Sequence, residues 1–318
     1  MRAVQFHEHG SPSVLQCESI ESPTPSAGTV LVSVRAAGVN PVDTYFRSGE
    51  YAVPELPAIP GTDLAGEVVA VGAGVTAFES GDRVFATGLG GDGSGSYAEE
   101  VVVPVDQVAM LPDGVSFETG AAAGVVVGTA WRALVDHAAL TATETVLIQG
   151  ANGGVGHVAV QLAASMGARV LATAREPYHD RLESLGADHV FSYDRDDLAG
   201  AITDVGAPDV ILETFVDEYL QFDADVGANG VRVVCIGNAT NEASLTSVNT
   251  AKNKDVRYQF MTLFNAPDMS AILERVAALL DSGDVVPQIE RSYTFEDADA
   301  AQRDVLEESF LGKLVLVP

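Results

Sequence analysis

Four glycines carry the clearest chemistry in this chain. In the stretch TVLIQGANGGVGHVAVQLA, Gly150, Gly153, Gly154 and Gly156 stand between a strand-like run, Thr145–Gln149, and a helical one, Val155–Met166. Glycine there permits a tight turn and lets backbone N–H groups approach a pyrophosphate at the helix N-terminus. The spacing is G-x-x-G-x-x-G, not the strict G-x-G-x-x-G, and alone it is a weak motif. Its context strengthens it, because strand, turn, helix and second strand follow in order within about 30 residues. A bound dinucleotide is therefore expected. The second strand, Arg169–Thr173, bears on which one. An NAD site usually ends that strand on an Asp or Glu about 20 residues past the turn, to accept from the ribose 2′-hydroxyl. Here Ala174 stands in that place, and Arg175 follows with a guanidinium that can fork onto a 2′-phosphate. Thr173 adds a hydroxyl. Glu176 opposes this reading, since its carboxylate would repel a phosphate or serve NAD. The balance predicts NADPH.

The surrounding pattern changes character once. The first 120 residues read as short strands between turns: Val30–Ala36 alternates, Gly66–Val71 and Val101–Val103 are β-branched, and Gly81-Asp82 turns into Arg83–Phe85. Gly88–Gly95 reads as a glycine-rich loop. Gly120–His137 reads as a helix. Apolar strand-like runs then alternate with helical ones: Thr145–Gln149, Arg169–Thr173, Val190–Phe191, Asp209–Glu213 and Val231–Ile236. Strands alternating with helices imply a parallel sheet with crossover helices, buried on both faces. Asp180–Leu185 and Asp268–Leu280 are helical, and Lys313–Val317 closes the chain as a strand.

A chain of 318 residues suits two domains, and 47% hydrophobic residues supply their cores. Its net charge is −28, with three lysines, Lys252, Lys254 and Lys313, against 14 arginines. So acidic a chain makes nucleic acid an unsuitable partner. No apolar run reaches the roughly 20 residues of a membrane span, and MRAVQFHEHG has no secretory h-region. Two cysteines, Cys17 and Cys235, make no disulfide framework and are expected as buried free thiols. The six histidines show no metal-ligand spacing. A surface rich in Asp and Glu and poor in Lys resembles that of proteins from salt-accumulating microbes. Salt should relieve its self-repulsion. Melting temperature and activity are therefore expected to rise from dilute buffer towards molar KCl, and a flat or falling melting temperature would remove the halophilic reading.

Several motifs then occur in one order: MRAVQFHEHGSPSVL, GVNPVDTYFRSGEY (Gly38–Tyr51), PAIPGTDLAGEVVAVGAGVTAFESGDRV (Pro57–Val84), GSYAE (Gly95–Glu99) and GANGGVG (Gly150–Gly156). Together they resemble the medium-chain dehydrogenase/reductase superfamily, in its zeta-crystallin-like NADPH:quinone oxidoreductase branch, over essentially the whole chain. The resemblance implies an α/β fold with a GroES-like β-domain built from both chain ends, 1–122 and 263–318. A Rossmann domain, a doubly wound parallel sheet, would occupy 123–262. Zinc members of the superfamily hold their metal with Cys, His and Cys or Asp. In this chain Asn40 stands for the first, Thr62 for the His and Val125 near the third, so no metal is expected.

Without zinc, hydride must go to an acceptor that is already electrophilic, such as a quinone or a conjugated enone. The charge developing on oxygen then needs a donor. Asn40 and Tyr45, in NPVDTY, are the candidates, with Tyr51 and Phe264 as apolar walls. Asp43 and Asp63 read as turn and structural residues. The resemblance adds Thr129, Asn152, Val155, Ile236, Gly237 and Phe264 to the NADPH contacts. It also matches Tyr193 to a family tyrosine at the 2′-phosphate, and Lys313, in the C-terminal GK pair, is expected to approach the same phosphate. The expected function is reduction of a quinone by NADPH in a cytoplasmic homodimer, possibly a tetramer, that pairs the edges of its Rossmann sheets. Alternatives are a 2-alkenal or enoyl-thioester reductase, or a non-enzymatic NADPH-binding protein like some crystallins.

Overall fold

A computed structural model describes residues 1–318. The chain divides into two compact units, Met1–Gly128 with Ala266–Pro318, and Thr129–Asn265. No helix is long and apolar enough to cross a membrane.

In the first unit the hub is the strand Thr29–Val39. Its TVLVSVRAAGV sequence is β-branched on alternate positions near its start and small near its end, and it is buried along most of its length. It pairs antiparallel with Asp63–Val71, with Glu100–Pro104 and with the last strand, Lys313–Val317. Two registers matter below. Leu314 pairs with Val39, and Gly38 pairs with Asp63. The end of the hub strand is thus flanked by residues from early and very late in the chain. One hydrophobic cluster joins Val30, Val32, Leu64, Val84 and Val101. A second joins Val39, Tyr97, Phe295 and Leu314. At roughly 1.5–3 kcal/mol per large apolar side chain buried, these clusters fix the register of the strands that carry the polar residues between them.

The sequence reading has no helix between the hub strand and Asp63, yet Pro41–Ser48 is one. Proline at the first helical position is favourable, because its missing N–H would have had no partner within the helix. Asp43, in the first turn, accepts the Asn40 N–H at 2.8 Å. Gly49 ends the helix in the left-handed conformation, φ 87°. Eight residues make only about two helical turns, shorter than the window of roughly 11–18 residues over which such a pattern is read, so the sequence does not announce the helix. The long helix expected at Gly120–His137 is α-helical over Phe117–Trp131 and continues as a π-helix over Arg132–His137.

The second unit holds a six-stranded parallel sheet. Its spatial order is His189–Ser192, Arg169–Ala174, Thr145–Ile148, Val210–Glu213, Arg232–Cys235 and Arg257–Phe260. The sequence reading stops at five strands. Arg257–Phe260 (RYQF) is a sixth, and its burial pattern is exposed at both ends, as an edge strand allows. The helices Leu198–Val205 and Val216–Val226 are also absent from the sequence pattern. Leu147, Leu171, Ile211 and Val233 form the centre of this core. Strand order runs outward in both directions from Thr145–Ile148, the switch point at which doubly wound sheets bind ligands. Of the two thiols, Cys235 is buried as expected, whereas Cys17 is only half-buried.

Candidate active site

The glycine turn leaves the sheet at that switch point. Gly150 follows the Thr145–Ile148 strand by two residues and adopts φ +62°, a backbone that L side chains rarely take. The Gly153 N–H closes the turn on the Gly150 carbonyl at 3.0 Å, and the helix Gly154–Ser165 begins at once. A Cβ on Gly156 would lie 2.4 Å from the Gly150 oxygen, so only glycine lets the helix start this close to the turn. The second strand is tied in as well. The Gly150 N–H donates to Thr173 Oγ1 at 3.3 Å, and the Ala151 N–H to the Thr173 carbonyl at 2.9 Å. Asn152, Gly153, Gly154 and Val155 are half-buried rather than sealed in the core. Arg175 is exposed at the end of its strand, and its Nε donates to the Tyr193 hydroxyl at 2.9 Å. Tyr193 follows the neighbouring strand by one residue, so parallel pairing brings these two side chains together. Ile236 and Gly237 follow the Arg232–Cys235 strand, Thr129 is buried in its helix, and Phe264 is largely exposed.

Beneath the turn lies a group the sequence did not reveal. Gln149 Nε2 donates to Glu213 Oε2 at 2.5 Å and to Asp223 Oδ1 at 2.8 Å. The Phe215 N–H donates to the other Glu213 oxygen. Both carboxyls are fully buried. Burial pushes the Glu213 carboxyl up to about 7, against the donors around it. Burial and the Glu213 charge push Asp223 well above its ordinary value.

In the first unit a second buried polar group forms around Asn40. Lys313 Nζ donates to Asn40 Oδ1 at 2.5 Å and to the Val39 carbonyl at 2.6 Å. Asn40 Nδ2 donates to Asp63 Oδ2 at 2.9 Å. Asp63 also accepts from Thr87 Oγ1 at 2.5 Å and from the Val125 N–H at 3.0 Å. Asp43 accepts from Thr62 Oγ1, from the Asn40 N–H and from the Tyr97 hydroxyl at 3.0 Å. Burial pushes the Asp43 carboxyl up to about 6, opposed by the Thr62 and Asn40 hydrogen bonds. Burial also raises Asp63 and lowers Lys313, each opposed by the other's charge. Asn40 is 1% exposed and Lys313 is 3% exposed.

Lys313 therefore requires a correction. Expected at the 2′-phosphate, it is instead buried in the strand-rich unit with its ammonium held by a carbonyl and an amide oxygen. An ammonium bonded to these two oxygens, with the Asp63 and Asp43 charges facing it, is not directed at a phosphate. The register that pairs Leu314 with Val39 puts it there. Asp43 and Asp63 hold the site's scaffold together. Tyr45 is half-buried, with its ring edge-on to Tyr51 at 5.5 Å, and Tyr51 also meets Phe46 at 5.7 Å. Burial and the charge of Glu50 raise the Tyr45 hydroxyl above its ordinary range. Tyr51 remains largely exposed and so is no core residue.

Two family models match the chain: the alcohol dehydrogenase GroES-like domain over residues 26–113, and a zinc-binding dehydrogenase over residues 185–316. A mouse quinone oxidoreductase is 36% identical over 100% of this chain and 98% of its own length. The chain belongs to the quinone oxidoreductase family of medium-chain dehydrogenases/reductases. A crystal structure of the Escherichia coli quinone oxidoreductase complexed with NADPH aligns over all of both chains, with a TM-score of 0.90 and 26% identity. An NAD-dependent alcohol dehydrogenase also aligns over all of both chains, with a TM-score of 0.94 and 28% identity.

The second family model's description raises zinc, and this quinone oxidoreductase does not fit it. Asn40 Oδ1 already accepts from an ammonium, which would repel a dication. Thr62 donates its hydroxyl to Asp43, and Val125 offers no donor atom. Asn and Thr lack the soft or imidazole donors of a zinc site. A dinucleotide does fit the other unit. The turn, the helix N-terminus behind it and the Arg175–Tyr193 pair supply the N–H groups and cation that a phosphorylated cofactor requires.

Proposed function

We propose that the chain is an NADPH-dependent, zinc-independent oxidoreductase whose acceptor is a quinone or a related conjugated carbonyl compound. The observation carrying this reading is the buried hydrogen-bonded group around Asn40, with an ammonium and a carboxylate on its amide where metal-dependent relatives need zinc ligands. A site of that kind cannot polarise an alcohol through a metal, but it supplies fixed donors for an oxygen that becomes negative. NADPH, when bound, supplies the hydride. Gly150, Asn152, Gly153, Gly154, Val155 and Gly156 would hold its pyrophosphate, with Thr129, Ile236, Gly237 and Phe264 contributing further contacts. Arg175, Tyr193 and Thr173 would hold the 2′-phosphate. Asn40 would donate to the acceptor oxygen or orient the nicotinamide. Tyr45 would supply a proton, and Tyr51 and Phe264 would wall the acceptor. A homodimer is part of this reading. The Arg257–Phe260 strand is one of the sheet's two edges, and its Phe260 is 66% exposed, which supports pairing with a second copy.

Following NADPH absorbance with a quinone and with a 2-alkenal tests the reading. Turnover is expected with the quinone, and NADPH binding without turnover on any acceptor would favour a binding protein. Cofactor choice is tested in the same assay. NADPH should be preferred over NADH by at least about tenfold in kcat/KM, or about 1.4 kcal/mol. Arg175→Ala should erode that preference, chiefly through weaker NADPH binding. Equal kcat/KM for both cofactors in the unaltered protein would show that Glu176 governs the site.

A further inference from the structure

Asn40, Lys313 and Asp63 form a linear arrangement with a direction. A carboxamide is nearly symmetric in shape, and a half-turn about its terminal bond exchanges oxygen and nitrogen. Its two neighbours here are not interchangeable. Lys313 Nζ meets Asn40 Oδ1 at 2.5 Å, and a lysine ammonium only donates. Asp63 Oδ2 meets Asn40 Nδ2 at 2.9 Å. Asp63 also takes the Thr87 hydroxyl and the Val125 N–H, the donor set of a carboxylate, which only accepts. A flipped amide would set NH₂ against NH₃⁺ and C=O against COO⁻, two repulsive contacts in a buried site. The backbone is pinned too, since the Asn40 N–H is held by Asp43. Two Nδ2 hydrogens exist and Asp63 takes one, so the direction of the second is fixed.

The ammonium also acts on that second hydrogen. A charge-assisted bond to the amide oxygen draws electron density from the nitrogen, and hydrogen bonds in series strengthen one another in a low dielectric. We propose that Lys313 and Asp63 are positioning residues that lock the Asn40 carboxamide in one orientation, and that Lys313 makes its remaining Nδ2–H a stronger donor to the acceptor oxygen. This rests on the reading of Asn40 as a site residue. The arrangement spans 273 residues of sequence, and the hub strand's registers place its members side by side.

The test is a double-mutant cycle on the full-length protein, with NADPH and a quinone. Lys313→Met keeps the side-chain length and removes the charge. Where groups orient a directly acting residue, as around metal sites, their removal costs on the order of 10–100-fold in activity. Lys313→Met is accordingly expected to lower kcat about tenfold, with KM for the quinone and NADPH affinity little changed. In an Asn40→Ala background the same substitution should have no further effect on kcat, because Lys313 acts through Asn40. Lys313→Met paired with Asp63→Asn keeps the buried charge balanced and serves if the single variant does not fold. It should show the same loss and the same dependence on Asn40. An unaltered rate in Lys313→Met or the paired variant, or losses that multiply with that of Asn40→Ala, would overturn the proposal while leaving Asn40 in place. An unaltered rate in Asn40→Ala itself would overturn the reading of Asn40 and the proposal with it.

Discussion

Asn40→Ala is expected to lower kcat with a quinone on the order of 10²-fold, since one preorganised donor to a developing oxyanion is worth at most about 10³-fold. NADPH affinity should stay within about twofold, because a group that acts only as charge develops changes kcat rather than ground-state binding. The geometry sharpens this expectation. Asn40 is almost wholly buried, and its oxygen and one amide hydrogen already have charged partners. Any contact it makes with an acceptor uses the remaining hydrogen, in surroundings from which water is largely excluded. The same burial gives the substitution a structural cost, because Lys313 and Asp63 would lose the amide that separates their charges. The melting temperature must therefore be measured beside the rate. A folded variant with unchanged turnover on several acceptors would reduce Asn40 to scaffold.

Stability is expected to fall as pH rises from about 5 to about 8, because the buried Glu213–Asp223 pair holds protons that the unfolded chain releases. Burial raises Glu213 from its ordinary 4.5 to about 7. The folded state thus binds a proton that the unfolded state releases between those values. The stabilisation is fully present below about 4.5 and is lost as pH rises through about 7. Asp43, raised to about 6 in the other unit, acts in the same direction at a lower pH. Asp223, raised well above its ordinary value beside Glu213, extends the effect upward. Denaturant unfolding in molar KCl, which screens the exposed carboxylates, isolates the buried groups. Glu213→Gln should flatten the profile near neutrality. Unfolding free energy that is level or increasing from pH 5 to pH 8 in the unaltered protein would show that the pair does not retain its proton.

The parts of this protein legible in its sequence are those built from neighbouring residues. The glycine turn, the missing acid at Ala174 and the basic Arg175 lie within 26 residues, and their strand–turn–helix context is a local pattern. The parallel sheet was legible because its inner strands are unbroken apolar runs. Of its two edge strands, His189–Ser192 was legible from Val190–Phe191, whereas Arg257–Phe260 was not, because RYQF contains no apolar run. The helix Pro41–Ser48 was missed because eight residues give too little period to read. Asn40 was identified as a site position from its motif, but nothing local indicated what holds it. Lys313 reads in sequence as a cation near a chain end, the ordinary place for a solvated charge. Only strand pairing across 273 residues buries it against Asn40, with Asp63 drawn to the other side of the amide by the opposite register. Likewise Gln149, Glu213 and Asp223 lie on three separate elements, and only packing at the centre of the sheet brings two carboxyls onto one amide. Sequence thus determined where the tight glycine turn forms between strand and helix, because backbone geometry over a few residues is set by local sterics. Tertiary structure decided which charges are desolvated and paired, because burial and contact belong to the whole fold.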